Sequence, residues 1–291
     1  MNPTLEVVRP GILTTAQDIG RTGYRMIGVP QSGALDAIAL RLLNALLDNE
    51  PGEAALECLY GGIALTMKSG AVRCAVACTS ARVRAVDHTE RMIPDWSTFV
   101  VSEGETLIVD TPRTTAAAYL GFAGGMHTDL VMGSRSTSIA AGFGGYDGRA
   151  LRRGDLISLR IDAIAGSESA YGRPPVLHQP DVLRVMTGPQ GDWFDHATRS
   201  RFFEDSYAVT QASNRAGIRL EGSPLSTSHG HDLLSEGVAT GSIQVPGSGQ
   251  PILLIGDHPT VGGYPKIATV ISADLAAAGR LRIGNRVRFT E

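Results

Sequence analysis

Short apolar runs, broken by Gly, Pro or a polar cluster every few residues, dominate the chain. Leu5–Val8 reads as a strand stopped by Pro10-Gly11. AALECL, IALTM, VRCAVAC, ARVRAV, STFVVS, ETLIVD and Thr115–Phe122 follow with the Val, Ile and Thr enrichment of strands, and DLISLR and VLRVMTG continue the pattern. One stretch, DAIALRLLNALLDN, predicts a clear helix. Its apolar residues Ile38, Leu42, Ala45 and Leu46 recur at helical spacing, Asp36 supplies an N-cap, and Asn49 with Pro51-Gly52 ends it. GDWFDHATRSRFFE predicts a second helical segment. Helices do not alternate regularly with strands, which disfavours a doubly wound sheet. The pattern predicts a mainly β protein, built of barrels with a few short helices.

Residues 162–180 carry several breakers and little periodicity, so they are the expected domain boundary, between halves at 1–165 and 176–291. The two halves share a faint echo. ALRRGDLISLR at 150–160 and RLRIGNRVRF at 280–289 both place Gly and a polar residue before a closing strand, with Gly154 and Gly284 supplying the turns.

Composition narrows the function classes. In 291 residues, 26 basic side chains face 29 acidic ones, for a formal charge of −3. That leaves no broad basic footprint for nucleic acid or an anionic membrane. No run of apolar residues is long enough to span a bilayer, and the first residues show no basic-then-apolar leader, so a cytoplasmic protein is expected. Cys58, Cys74 and Cys78, odd in number and in apolar surroundings, read as reduced, buried thiols.

Four segments carry candidate chemistry. In the first, Gln17, Asp18, Arg21 and Tyr24 stand within eight residues among glycines: either a small polar ligand is held there, or an Asp–Arg pair clamps a loop. In Gly133-Ser134-Arg135-Ser136-Thr137, Arg135 with the hydroxyls of Ser136 and Thr137 suits an oxyanion, or an Arg-anchored turn. The third runs through SEGVATGSIQVPGSGQPILLIGDHPTVGGYPKIATV and offers Gln244, Asp257, Tyr264 and Lys266. A lysine so placed polarises a carbonyl, holds a carboxylate or acts as a base. In the fourth, Arg215 and Arg219 with Glu221 form an ion-pair lattice or an anion clamp. His229-Gly230-His231 lacks the convergent ligands of a zinc site, and no metal site is expected. GxxxxGK[ST], GxGxxG, GxSxG and HExxH are all absent.

Taken in order, PGILTTAQDIGRTGYRMIGVPQSGALD, AALE, GSRST with GFGGYDGRALRRGD, NRAGIRLEG, and SEGVATGSIQVPGSGQPILLIGDHPTVGGYPKIATV resemble the allophanate hydrolase subunit 2 family. It is also called the KipA or biotin-dependent carboxyltransferase-like family, and the resemblance runs from about Leu5 to Phe289. It implies two tandem cyclophilin-like β-barrels. It also implies heteromeric partners: a KipI-like subunit 1, which is the B component of 5-oxoprolinase, and a LamB/YcsF-type protein, which is its A component. Prokaryotic members include the C component of an ATP-dependent 5-oxoprolinase, a hydrolase complex that opens 5-oxo-L-proline to L-glutamate with ATP expected on a partner.

On that basis Lys266, Asp18 and Tyr264 are the expected catalytic residues. Gln17, Arg21, Tyr24, Arg135, Ser136, Thr137, Arg215, Gln244 and Asp257 are expected to bind substrate. Two alternatives remain: carboxyl transfer from carboxybiotin to urea or a similar amide, and a KipA-like regulator that antagonises a KipI-like kinase inhibitor. The chain departs from the family pattern in three places. Ala77-Cys78-Thr79-Ser80-Ala81 replaces a TGA-type turn, Arg215-Ala216-Gly217 stands where Arg-Met-Gly is common, and Asp257-His258-Pro259-Thr260 stands where Asp-Arg-Gln-Thr is usual.

Overall fold

The computed structural model describes residues 2–160, 170–171, 175, 177 and 180–291. Residues 165 and 176, the expected ends of the two halves, lie outside them. By its internal contacts the chain forms two units: Met1–Arg21 with Ser32–Leu177, and Thr22–Gln31 with His178–Glu291.

The first unit contains β1 (Thr4–Arg9), β2 (Leu13–Gln17), β3 (Ala55–Leu59), β4 (Ala64–Ser69), β5 (Ala71–Ala77), β6 (Ala81–Arg84), β7 (Glu90–Ile93), β8 (Ser97–Ser102), β9 (Thr106–Val109), β10 (Ala117–Phe122) and β11 (Leu156–Ser158). They pair as a six-stranded sheet, β11-β1-β4-β9-β6-β7, and a five-stranded sheet, β2-β3-β10-β5-β8. Leu5, Val7, Leu65 and Leu107 of one sheet meet Leu56, Val76, Leu120 and Phe122 of the other in a single core. Buried side chains of this kind each contribute roughly 2 kcal/mol. Strands β3 and β10 are buried along their whole length, and helix α1 (Ala37–Leu46) packs on the outer face of β10 and β5.

Asp36 caps α1 as expected, its Oδ1 accepting from the N–H groups of Ile38 and Ala39 at 3.1 and 3.0 Å. The buried face differs from the expected one: it is Ala39, Leu40, Leu43 and Leu46, while Ile38 is 42% exposed. Gly121 explains the choice. A Cβ there would stand 2.7 Å from Leu47 Cδ1 and 3.1 Å from Leu43 Cδ2, so the missing side chain lets this edge of the helix settle on the sheet.

In the second unit β12 (Val182–Thr187), β13 (Tyr207–Val209), β14 (Gly217–Glu221), β15 (Glu236–Gly237), β16 (Ser242–Gln244), β17 (Ile252–Leu254), β18 (Val261–Gly262), β19 (Lys266–Val270) and β20 (Arg286–Thr290) follow in order. Seven close into a barrel, β12-β19-β16-β17-β14-β13-β20, leaving β15 and β18 as a separate ribbon. Helix α2 (His196–Glu204) is capped by Asp195 and stacks Phe202 on Phe289 of the barrel, centroids 4.8 Å apart.

The sequence echo has a structural counterpart. Gly154 and Gly284 both sit at positive φ, 89° and 87°. The Arg152 N–H donates to Asp155 Oδ2 at 2.7 Å and the Arg282 N–H to Asn285 Oδ1 at 2.7 Å. The N–H groups of Gly154 and Gly284 donate to the carbonyls of Val7 and Val209, both at 2.8 Å. Each unit therefore enters its last strand through the same turn. Cys58, Cys74 and Cys78 are buried and form no disulfide, and burial pushes the Cys58 thiol up to about 12. Among the described residues no helix is long and apolar enough to cross a membrane.

Candidate functional site

The first unit gathers six of the expected site residues. β2 delivers Gln17 and Asp18 to the loop 133–137, whose Thr137 N–H continues the strand by donating to the Ala16 carbonyl at 2.9 Å. The Asp18 carboxylate then accepts from the Gly20 N–H (2.7 Å), the Ser134 hydroxyl (2.7 Å), the Ser136 hydroxyl (2.5 Å) and the Arg135 N–H (2.6 Å). Gln17 is fully buried. Its amide donates to Thr15 Oγ1 and the Thr137 carbonyl at 2.9 and 3.2 Å, and its oxygen accepts from the Gly33 N–H at 3.1 Å. Arg21 donates to the Ser136 carbonyl and lies 4.8 Å over the Phe143 ring.

These bonds make an interlocked polar cage, and a carboxyl with four donors is held in place. Arg135 enters the cage through its backbone. Its guanidinium donates to the Thr128 carbonyl and stands 4.0 Å from Glu53. The AALE segment adds Glu57, absent from the expected set. This buried carboxylate accepts from the Leu35 N–H and the Tyr119 hydroxyl, both at 2.8 Å, and anchors the chain entering α1.

The second unit holds Lys266, Gln244 and Tyr264 together. Gln244 and Lys266 oppose one another across β16 and β19 at a bulge, and Glu236 opposes Gly262 in the β15–β18 ribbon. Lys266 is 3% exposed and its ammonium pairs with Glu236 Oε1, whose side chain remains 42% exposed. Gln190 bridges the pair: its amide donates to Glu236 Oε1 at 2.8 Å and its oxygen accepts from the Lys266 N–H at 3.1 Å. The bonds from Lys266 and Gln190 hold the Glu236 carboxyl below its ordinary range. Gly262 keeps the space open, since a Cβ there would stand 2.5 Å from Gln244 Nε2, and the Tyr264 carbonyl accepts from that amide at 3.5 Å. A buried ammonium whose counter-ion reaches solvent can meet an incoming anion or a polarised carbonyl at little reorganisation cost. Glu236 and Gln190 escape sequence reasoning because residue type alone does not say which carboxylate or amide a buried lysine will find.

Arg215 and Asp257 form a second centre, a buried bidentate pair with Nε–Oδ2 at 2.9 Å and Nη2–Oδ1 at 3.2 Å. Next to it His258 accepts from Arg25 Nη1 at 3.1 Å, and Arg25 also donates to the Val238 carbonyl. Tyr24 and Arg25 belong to the Thr22–Gln31 stretch that joins the second unit. The His229 ring stacks on Trp193 at 5.2 Å and His231 faces the Val245 carbonyl, so that tract is engaged in loop packing. Among the described residues no group of three or more His, Cys, Asp or Glu is disposed to hold a metal ion.

This mainly β chain belongs to the family of the carboxyltransferase domain, subdomain A and B, whose pattern matches residues 27–291. It is 34% identical to the 5-oxoprolinase C subunit of Escherichia coli (strain K12) over 99% of this chain and 91% of that protein. The crystal structure of TTHA0988 superposes with a TM-score of 0.85 at 30% identity, and that of the K. lactis urea amidolyase with 0.87 at 29%. The chain spans 56% of the first of these proteins and 19% of the second.

Proposed function

We propose that this chain is the C component of an ATP-dependent 5-oxoprolinase, which opens 5-oxo-L-proline to L-glutamate together with a KipI-like B component and a LamB/YcsF-type A component. The observation that carries this reading is the near full-length match to the E. coli C subunit, with each chain covering nine-tenths or more of the other. The substrate offers a lactam carbonyl and a carboxylate. The Lys266 ammonium faces the oxygen on which negative charge develops as the lactam opens, with the Gln244 amide and the Tyr264 phenol orienting the ring. Glu236 pairs with the Lys266 ammonium until substrate arrives. Asp18 acts by fixing the Gly133–Thr137 loop, and with it Gln17, Arg21, Ser136 and Thr137. Arg215 and Asp257 brace the second unit, and Tyr24, which belongs to the same unit, rims the substrate.

The donors of the GSRST loop are committed to Asp18, which leaves no backbone cradle there for a triphosphate. In this reading ATP is expected on a partner component, and no step on this chain is routed through it. A second reading, carboxyl transfer from carboxybiotin to a urea-like amide, is favoured by the likeness to the K. lactis urea amidolyase.

Reconstitution with the A and B components separates the two. The proposal predicts L-glutamate release from 5-oxoproline that requires ATP. Turnover of urea and bicarbonate only in the presence of a biotin carboxylase and a biotin carrier would overturn it in favour of the second reading.

A further inference from the structure

Several cations of the second unit are matched to carboxylates: Arg215 to Asp257, Lys266 to Glu236 and Arg184 to Asp274. Arg25 is not. Its Nη1 donates to the neutral ring of the fully buried His258 at 3.1 Å and its Nη2 to the Val238 carbonyl, and it forms no ion pair among the described residues. Burial lowers the Arg25 pKa, and no neighbouring carboxylate offsets that effect. A guanidinium drawn partly out of water without a counter-ion favours an incoming anion. The anion can reach it. Arg25 is only partly buried, and its Nε, which has no protein partner, is not among the side-chain atoms sealed from solvent.

The backbone holds this cation in place. Arg25 opens a single 3-10 turn, Arg25–Ile27, in which the Ile27 and Gly28 N–H groups donate to the Tyr24 and Arg25 carbonyls at 3.1 and 3.0 Å, and Gly28 closes it at φ 86°. The apolar residues of the turn stay outside, Met26 at 96% and Ile27 at 71% exposed. Apolar burial therefore does not account for the inward guanidinium, which inverts the usual order of what is buried. Arg25 also meets the ribbon that carries the partner of Lys266. Val238, whose carbonyl it bonds, follows Glu236 by two residues, and the Val238 N–H donates to the Thr260 carbonyl at 3.1 Å.

We propose that Arg25 binds the carboxylate of the substrate, through the N–H donors that His258 and Val238 leave uncommitted. The planar fork of a guanidinium matches the two oxygens of a carboxylate. The identity of this anion rests on the 5-oxoproline reading, which gives the lactam carbonyl to Lys266 and leaves the ring carboxylate to be held. His258 is a positioning residue: as a neutral acceptor it holds the guanidinium without cancelling its charge.

The test is calorimetric titration of the reconstituted complex, without ATP, with 5-oxo-L-proline and with 5-oxo-L-prolinamide, which keeps the lactam and lacks the charge. The acid is expected to bind about tenfold more tightly than the amide, or better. Arg25→Gln should erase that preference by weakening the acid and leaving the amide unchanged, a pattern that general loosening of the fold would not give. Arg25→Lys, which keeps the charge, should retain part of it. In the wild-type chain the Arg25 side-chain Nε–H resonance should shift with the acid and not with the amide, a readout that needs no variant to fold. Equal binding of acid and amide by the wild type, no saturable binding of either, or a preference that survives in a folded Arg25→Gln chain would overturn the proposal. An Arg25-dependent preference in a complex that releases no L-glutamate with ATP would support the carboxylate site and defeat the 5-oxoprolinase reading instead.

Discussion

His258 has both ring nitrogens engaged in the interior of the second unit. Nδ1–H donates to the Pro259 carbonyl at 2.7 Å, and Nε2 accepts from Arg25 at 3.1 Å and from the Thr240 hydroxyl at 3.0 Å. This arrangement requires the neutral ring. Burial, and then the charge of Arg25, lower its pKa to about 4 from 6.5, outweighing the Pro259 bond and the negative Asp257. Between those values the unfolded chain binds a proton that the folded chain refuses, so stability rises with pH through the window and is lost as pH falls from 6.5 toward 4. The loss is on the order of 3 kcal/mol. Asp95 acts oppositely, because burial lifts its carboxyl to about 6 and favours the folded state at the acid end. The prediction is therefore a difference: in urea unfolding across roughly pH 4 to 7, His258→Gln should show a shallower acid loss than the wild type, and parallel curves would contradict it. The candidate residue types were legible in the sequence as polar side chains among glycines. Their partners were not, since Arg25 and His258 stand 233 positions apart and only the tertiary fold brings them together.

At the scale of elements, short Val-, Ile- and Thr-rich runs bounded by turn residues revealed most strands of the first unit, and a capping Asp36 located α1. The face of α1 was misjudged because its apolar residues outnumber the stripe that the sheet can cover, and Gly121 decides which of them go inside. The closing turns were the better signal. Gly154 and Gly284 hold the same left-handed conformation, and a Cβ at either would meet nothing within 4 Å. Alanine at either position therefore costs backbone strain alone, about 1 kcal/mol, with no clash to confound it. Chemical denaturation should show each single variant destabilised by that amount and the double variant by the sum. A neutral or stabilising result at one position would deny that the two turns are equivalent.

For the molecule as a whole, the ordered set of motifs pointed to the family, and the match over residues 27–291 shows it. The contribution of Thr22–Gln31 to the second unit was illegible, because a contiguous reading of the chain assigns that stretch, between β2 and α1, to the unit that surrounds it in sequence. The proposed function rests on the Lys266 ammonium, which this unit buries against the partly exposed Glu236 carboxylate. Replacing Lys266 removes the charge and frees Glu236 to water, so the variant should still fold. The decisive measurement is the rate of L-glutamate release by the reconstituted complex carrying Lys266→Met, with Lys266→Arg beside it. A fall of about a hundredfold or more in the Met variant, partly restored in the Arg variant, is predicted. A wild-type rate from a folded Lys266→Met chain would contradict the account.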